Sequence, residues 1–520
     1  MTRTMRQRIA AAAAITAVLT LTACSGTEGG AVDAGMAMPE PLGEVAPSEG
    51  PAWRNVPTDP QEEYDDAVEQ PFQKVATSPL STFAADVDTA SYSNLRRQVN
   101  DGVAPEGVRI EELVNYFDYG HAAPAAGDEV PFAVTTEVAE APWAPGHQLA
   151  MVGVRATEAV PTSAGNNIVF LLDVSGSMDE PNKLPLLAES FSLLAENLGP
   201  DDVVSIVTYA GDNRVVLDSV RGDDRETITG ALESLEAGGT TGGSAGLHTA
   251  YELAEKNFVE GGNNRVILGT DGDFNVGPST PGQLVEQIEA ARQGGVYISV
   301  LGFGMDNLKD NTMESIADHG NGNYAYIDTL DEARKVLVDE FDSTMFVVAQ
   351  DLKVQVELNP AVVSRYRLIG YDNRRLEDED FDDDTKDAGD VGAGHAVTAF
   401  YELVPAGGAA AGDELRYQDS VASGSGDFMT VHVRWKEPGE KASTEQEYPV
   451  TAGELTDAPS EDFRFASAVV EAGLIARGSE YGGDASLERA RERAASSLGE
   501  DPYGLRAEFV DLVTKLDGLL

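Results

Sequence analysis

Cysteine is almost absent from this sequence: Cys24 is the only one among 520 residues. A single thiol cannot supply an internal disulfide framework, and it cannot supply a metal site built from several thiolates. Apart from Cys24 the chain contains no thiol, so a thiolate metal site elsewhere in the sequence is excluded.

Basic residues are also scarce, since 36 Lys and Arg stand against 89 Asp and Glu and give a formal charge of -53. Such a negative surface repels the phosphate backbone of nucleic acids, so we expect no nucleic-acid partner. Most of these carboxylates need do no more than keep an exported protein soluble. They also raise the local concentration of divalent cations.

Near the N-terminus, an apolar stretch from Ile9 to Leu21 follows three arginines. It is too short for a stable membrane-spanning helix and is typical of a secretion signal. The segment "LTAC" ending at Cys24 resembles a bacterial lipobox, in which the cysteine becomes the lipid-modified first residue. We therefore expect an extracytoplasmic protein that is lipid-anchored at Cys24 to the bacterial cell membrane. The alternative is a stray thiol near an ordinary cleavage site.

Composition and periodicity divide the chain into six segments. After the signal peptide, residues 24–78 are rich in Gly, Pro, Ala and Glu and predict a flexible tether. Alternating or helical patterns predict the other four segments: a mixed α/β subdomain (79–164), an α/β domain (165–345), a β-rich domain (346–452) and a helical C-terminal region (453–520). In the first of these four, the helical pattern begins with "LSTFAADVDTASYSNLRRQVNDG".

The α/β domain contains five strand-length apolar runs, "IVFLL", "VVSIVTY", "RVILGT", "VYISVLGFG" and "YAYID". Most of them lack polar alternation, as buried parallel strands do, and amphipathic segments lie between them. This pattern predicts a doubly wound, mostly parallel, Rossmann-like sheet. In such folds ligands bind beyond the carboxyl ends of the strands.

Small oxygen-bearing side chains follow the first of these strands. Asp173, Ser175 and Ser177 occupy alternate positions in "DVSGSM", directly after the run "IVFLL". A tight turn with this spacing can point three side chains to one side. The alternative is a local Asx or Ser turn that caps the helix predicted to begin near Leu184.

Two other loops lead to the same edge of the predicted sheet. Asp271 follows the run "RVILGT", and Thr240 and Thr241 lie in the glycine-rich loop "AGGTTGGSAG". No histidine or cysteine belongs to these loops, and all-oxygen ligation suits a hard cation. The sequence therefore predicts a Mg²⁺ site, with Mn²⁺ or Ca²⁺ as alternatives.

These motifs resemble the metal-ion-dependent adhesion site (MIDAS) of von Willebrand factor type A (VWA) domains. Longer strings, among them "LLDVSGSMDEPNKLPLL", "RVILGTDGDFNVG" and "GNGNYAYIDTLDEARKVLV", narrow the resemblance to YfbK-like VWA proteins. The resemblance implies that Asp173, Ser175, Ser177 and Thr241 are ligands and that Asp271 holds the ion directly or through water. Thr240 remains an alternative to Thr241, because glycine follows Thr241 where this family is expected to have asparagine.

The resemblance also implies a function, in which a protein partner offers a carboxylate to the bound metal. The alternative is a structural or regulatory envelope scaffold whose flanking domains carry the interaction. We do not expect an enzyme, because a hydrolytic metal site would need a positioned general base.

Two further motifs favour structural interpretations. The string "GGSAG" around Ser244 matches the G-x-S-x-G pattern of serine hydrolases, but the segment before it is helix-like, and that pattern requires a strand there. The acidic stretch 376–390 could bind Ca²⁺, but it lacks EF-hand spacing, so we interpret it as a solvated loop.

Overall fold

A computed structural model of the protein describes residues 68–85, 87–125, 128, 130–158, 164–239, 243–272, 281–304, 310–386, 388–407 and 426–520. The predicted signal peptide and Cys24 lie outside the described residues, as does nearly all of the predicted tether. Within the described ranges, no helix combines the length and the apolar character needed to cross a bilayer.

The first described segment contains β1 (Gln73–Lys74), β2 (Leu80–Ala84), α1 (Ala90–Asn100), α2 (Ile110–Asn115), β3 (Phe132–Glu140) and β4 (Gln148–Ala156). The helical prediction was wrong for the start of this segment, because Leu80–Ala84 forms a strand. The later strand that pairs with β2 satisfies its backbone hydrogen bonds, and such tertiary pairing overrides local pattern.

The central α/β domain contains β5 (Asn166–Asp173), α3 (Leu184–Glu196), β6 (Val203–Tyr209), β7 (Asn213–Arg221), α4 (Arg225–Glu233), α5 (Gly243–Lys256), β8 (Asn263–Thr270), α6 (Pro281–Gln293), β9 (Tyr297–Phe303), α7 (Asp310–His319), β10 (Tyr324–Ile327), α8 (Leu330–Arg334) and α9 (Phe341–Met345). The strand order is β10-β9-β8-β5-β6-β7, and every pair is parallel except β6 with β7. The five predicted strands are confirmed, whereas the polar edge strand β7 was missed.

Apolar side chains bury both faces of this central sheet. In β5, Val169 and Leu171 face a core built with α5, α6 and α7, whereas Ile168, Phe170 and Leu172 face a core built with α3 and α4. A strand that is covered on both sides needs apolar residues at every position, which explains the continuous run "IVFLL". The doubly wound α/β architecture is confirmed.

The remaining elements are β11 (Val347–Leu358), β12 (Val363–Ile369), β13 (Arg375–Leu376), β14 (Val391–Gly392), β15 (Ala396–Pro405), β16 (Met429–Lys436), β17 (Ser443–Val450), α10 (Glu461–Arg477), α11 (Leu487–Ala495) and α12 (Leu505–Leu516). Strands from both sides of the central domain share two antiparallel sheets, ordered β1-β12-β15-β4-β3 and β13-β2-β11-β16-β17. A core that includes Val152, Tyr401, Val356 and Val433 lies between these sheets. The flanking segments are thus parts of one sandwich.

The helices α10, α11 and α12 form a cap with α1 and α2. Their shared core includes Trp143, Phe117, Phe465 and Phe509, and it also contains side chains from the first sheet, such as Met151. Phe117 meets Phe465 and Phe509 edge-on at centroid distances of 5.0 and 5.8 Å, a favourable geometry for aromatic rings.

Buried ion pairs join this cap to the central domain. Arg96 of α1 donates to Asp328 at 2.8 Å and to Glu332 at 2.7 Å, and Arg109 donates to Asp310 at 2.7 Å. The side chains of these pairs are at most 9% exposed, so removing one partner leaves an uncompensated charge. The central domain is therefore attached to its flanks by specific contacts.

Candidate metal centre

Neighbouring strands of the central sheet end at the same level. Asp173 at the end of β5 pairs with Tyr209 of β6, Leu172 pairs with Gly269 of β8, and Thr270 of β8 pairs with Gly302 of β9. The loops that follow β5 and β8 therefore start side by side. This register brings the predicted ligands Asp173 and Asp271 to one edge.

The D-x-S-x-S turn has the predicted form, with its oxygen atoms gathered together. Asp173 Oδ1 accepts a hydrogen bond of 2.8 Å from the backbone N–H of Ser175, and the Oγ atoms of Ser175 and Ser177 lie 2.9 Å apart. On the other side, the Thr270 hydroxyl donates to Asp173 Oδ2 at 3.3 Å. One carboxylate and two adjacent hydroxyls thus occupy a single turn.

The alternative interpretation of this turn as a helix cap fails. The helix α3 begins at Leu184 and its N-cap position is Lys183, whose side chain makes no capping hydrogen bond. Asp173 does form a local Asx turn with Ser175, but this turn lies too far along the chain from α3 to cap it.

Backbone hydrogen bonds tie the glycine-rich loop to the same turn. The N–H of Gly238 donates to Val174 O at 2.8 Å, and the N–H of Gly176 donates to Gly239 O at 3.2 Å. Thr240 and Thr241 follow Gly239 directly, but both fall outside the described residues. The choice between them therefore stays a prediction.

Both aspartates of this candidate centre are buried, and burial makes the ionised form of Asp173 costly. Asp173 and Asp271 are 0% and 1% exposed. Burial raises the pKa of Asp173 to about 6, and the negative charge of Asp271 adds to this rise, while hydrogen bonds from Ser175 and Tyr209 oppose it. A cation would relieve both the burial cost and the repulsion between the two carboxylates.

The donor set fits a hard divalent cation. The four described candidates, Asp173, Ser175, Ser177 and Asp271, offer carboxylate and hydroxyl oxygens, which Mg²⁺ and Ca²⁺ prefer to softer ligands. The two buried acids supply negative charge, and the neutral hydroxyls supply ligand atoms without further charge.

Two residues of this centre were missed in the sequence. The Lys183 ammonium donates to Asp271 Oδ2 at 3.2 Å, and the two side chains are 3% and 0% exposed. Tyr209 lies against Asp173, and the pKa of Tyr209 is raised well above its usual value by burial and then by the Asp173 charge. The string "DEPNK" contains the lysine, but no spacing rule assigns it to Asp271 across the sheet edge.

The serine-hydrolase pattern has no catalytic setting in the structure. Ser244 lies in the first turn of α5 instead of on a turn after a strand. His248, on the same helix, is 65% exposed at its side chain and faces Glu252 at 3.3 Å. Neither residue belongs to the candidate metal centre.

Basic side chains of the neighbouring sheet contact the described part of the acidic stretch 376–390, and Arg434 forms an ion pair of 2.9 Å with Asp384. Lys353 donates to Asp380 O at 2.7 Å, and Lys436 donates to Asp384 O at 2.7 Å. Hydrogen bonds from Ser443 and Arg434 lower the pKa of Asp384 to about 2. Protein cations thus bind this loop, where the sequence had suggested only solvent or Ca²⁺.

Within the described ranges, a second group of side chains could hold a metal ion. One ligand atom each of His432, Glu445 and Glu447 lies within 4.8 Å of the others, on the strands β16 and β17. His432 Nδ1 is 3.0 Å from Glu445 Oε1, and both glutamates are exposed. Any measurement of metal binding must separate this group from the Asp173 centre.

Three family models match successive parts of the chain. The model described as "von Willebrand factor" matches residues 58–151, "von Willebrand factor type A domain" matches 167–339, and "Uncharacterized protein YfbK, C-terminal" matches 343–519. The second match spans the sheet that carries the Asp173 centre.

Individual proteins are also similar to this chain. YfbK of Escherichia coli (strain K12) is 44% identical over 474 residues, which is 88% of this chain and 81% of that protein. Inter-alpha-trypsin inhibitor heavy chain H3 of Homo sapiens is 30% identical over 173 residues, 31% of this chain and 19% of that protein. A solved structure, von Willebrand factor type A from Catenulispora acidiphila, is 18% identical with a TM-score of 0.40, covering 74% of this chain and 91% of that chain.

Proposed function

The chain belongs to the YfbK family of VWA-domain proteins, and from that premise we propose that it binds a protein partner through a divalent cation at the Asp173 centre. In this proposal the mature protein is a lipoprotein held at the outer side of the bacterial cell membrane by Cys24. A carboxylate of the partner completes the coordination of the cation.

The observation that carries this proposal is the convergence of Asp173, Ser175, Ser177 and Asp271 at one sheet edge, with both aspartates buried. When bound, the cation would supply a positive charge that attracts an anionic oxygen. Asp173 would bind it as the charged ligand, while Ser175 and Ser177 would orient their hydroxyl oxygens toward it. The turn holds these oxygens together before the ion arrives, which lowers the entropic cost of binding.

The donor set supports binding over hydrolysis. Nucleophilic attack by a metal-bound water needs a general base within hydrogen-bond reach, and the nearest histidine along the sequence, His248, faces solvent on α5. Among the described residues of the centre, both carboxylates are engaged, Asp173 with Ser175 and Thr270, and Asp271 with Lys183. We therefore propose a binding module without catalytic activity.

A second candidate function is an envelope scaffold whose flanking domains hold the partner. A cleft of about 480 Å³ favours it, because it opens where the cap, the sandwich and the central domain meet. His395 lines this cleft, and the exposed Asp339 and Asp342 lie on its wall. In this candidate the metal centre would be dispensable for partner capture.

Metal binding is tested first, by isothermal titration of the mature chain with Mg²⁺ at fixed ionic strength. Asp173→Ala should abolish the binding, whereas Glu233→Ala, an exposed acid on α4 of the same domain, should leave it unchanged. All proteins carry His432→Ala so that the group on β16 and β17 does not contribute. Equal Mg²⁺ affinity in Asp173→Ala and its parent would show that Asp173 is not a ligand.

Partner capture from an envelope extract then separates the two candidates. Under the metal-bridge proposal, EDTA and Asp173→Ala each weaken retention by about a hundredfold or more, because the partner's carboxylate would otherwise face buried aspartates. Under the scaffold candidate, retention survives both treatments and fails when Asp339 and Asp342 are changed to Lys. Deleting the β-rich region is unsuitable as a test, because β2 and β4 pair with strands from it.

The anchor is tested separately by labelling with a fatty acid. Cys24→Ala should lose the label and release the protein or stall its processing, since the chain contains no other cysteine. Equal labelling of both proteins would disprove the lipid anchor at this position.

A further inference from the structure

The buried Lys183 places a positive charge beside Asp271, although a metal site does not need a cationic side chain to bind its ion. We propose that the ammonium group of Lys183 neutralises Asp271 and so lowers the affinity of the centre for the metal. As a result, the centre keeps a net positive charge when the metal is bound. This charge is what a partner's carboxylate meets, so the inference rests on the proposed function and explains how the centre favours an anionic ligand.

The ion pair between these residues is sealed from solvent. Lys183 Nζ and Asp271 Oδ2 are 3.2 Å apart, with side-chain exposures of 3% and 0%. Charges that are removed from water interact strongly, because little solvent screens them. Asp271 is therefore held by a protein cation within the cluster that is proposed to hold the metal.

The fold also makes room for the stem of this lysine. Gly304, which follows β9, has a φ of +79°, and a Cβ on it would lie 2.4 Å from Lys183 Cγ. The Gly304 carbonyl accepts a hydrogen bond of 2.5 Å from the buried Tyr326 hydroxyl, which fixes the glycine in place. At its own backbone, Lys183 starts α3 by accepting a hydrogen bond of 2.8 Å from the N–H of Leu187. The ends of β8 and β9 and the start of α3 thus position the ammonium group of Lys183.

The balance of charges gives the functional consequence. The two aspartates and Lys183 together carry one negative charge, so a divalent cation leaves the occupied centre with one positive charge. A partner's carboxylate would then make the centre neutral. Without Lys183 the occupied centre would already be neutral, and a further carboxylate would make it negative. Lys183 therefore weakens the attraction for the metal and strengthens the attraction for the partner.

The simpler alternative is that Lys183 only compensates a buried acid and has no effect on the metal. The two possibilities differ in Mg²⁺ affinity, which requires no knowledge of the partner. Lys183→Met keeps the length and apolar stem of the side chain but removes the charge, and Lys183→Arg keeps the charge. Lys335→Met serves as the control, because it removes another buried, ion-paired lysine from the same domain.

Titration of the full mature chain with Mg²⁺ tests the proposal, again in the His432→Ala background. Lys183→Met should bind Mg²⁺ about tenfold more tightly than its parent, because a positive charge close to a divalent ion is removed. Lys183→Arg and Lys335→Met should stay within about threefold of the parent. Unchanged or weaker binding in Lys183→Met would overturn the proposal.

Removing both charges of the ion pair tests the proposal even if Lys183→Met alone does not fold. Asp271→Asn leaves Lys183 without its acid and should weaken Mg²⁺ binding by about tenfold or more. Asp271→Asn combined with Lys183→Met has the parent's net charge and should recover most of this loss. Absence of recovery would reject the role of the ammonium charge. If the parent itself bound no Mg²⁺, the proposed function would fail at the metal step, and this inference with it.

Discussion

Glu111 offers a prediction in which burial is the main cause of a measurable pH dependence. This residue of α2 is 3% exposed, its Oε2 atom has no hydrogen-bond partner among the described residues, and a Cβ on Gly370 would lie 2.4 Å from that atom. Burial raises the pKa of Glu111 to about 7, and the neighbouring negative charge of Glu112 adds to the rise. The folded protein therefore holds a proton that the unfolded chain releases near pH 4.5.

The sign of the effect follows from proton linkage. Below pH 4.5 the carboxyl is protonated in both states and imposes no penalty, whereas above pH 7 it is ionised in both states and its buried charge opposes folding. Stability is therefore lost as pH rises through this window. The difference between the two pKa values corresponds to about 3 kcal/mol in the free energy of unfolding.

Glu111→Gln removes this penalty, since an amide of the same shape carries no charge. Relative to the parent, the variant should gain about 3 kcal/mol in unfolding free energy between pH 4.5 and pH 8. The measurement is urea unfolding at both pH values, followed by the fluorescence of the buried Trp143 and Trp435. Comparing the two pH values cancels any constant cost of burying the amide, and other titrating groups cancel because both proteins share them.

Glu112→Gln provides the matched control, because Glu112 is ion-paired with the buried Arg109 on the same turn. It should destabilise the protein at pH 8 by leaving Arg109 with one acid fewer. If the stability difference between Glu111→Gln and the parent stayed constant from pH 4.5 to pH 8, Glu111 would not carry the raised pKa.

Three further predictions concern the central domain. Arg96→Met should lower the unfolding free energy by about 3–5 kcal/mol in urea titrations, because it strands the buried acids Asp328 and Glu332. Gly322→Ala should prevent folding or lower the melting temperature strongly, because the added Cβ would lie 1.8 Å from a backbone oxygen. Gly238→Ala is the control, since a Cβ there meets open space, and circular dichroism should show that it folds normally. Mg²⁺ affinity should fall by about tenfold per pH unit below the Asp173 pKa of about 6 in calorimetric titrations, because protons compete for this carboxylate.

Some features of this protein follow from the sequence alone because their causes are local. Short, continuous apolar runs such as "IVFLL" are typical of strands covered on both faces, and they predicted the central sheet correctly. The alternate spacing of Asp173, Ser175 and Ser177 acts within one turn, so its clustering of oxygens was predictable. Asp271 was predictable too, because parallel strands end at a common edge.

Other features depend on which segments meet in the folded chain, and no local pattern encodes that. The strand β2 lies in a helical pattern, yet it pairs with β11 from far along the chain, since unpaired backbone groups are costly to bury. The basic residues that contact the acidic stretch 376–390 come from strands whose register the sequence does not reveal. Lys183 reaches Asp271 only because Gly304, on a third strand end, leaves space for its stem. The sequence determined the central sheet and most of the candidate metal ligands. Tertiary contacts decided the charge at the candidate metal centre, because electrostatic interactions depend on distance and burial in space.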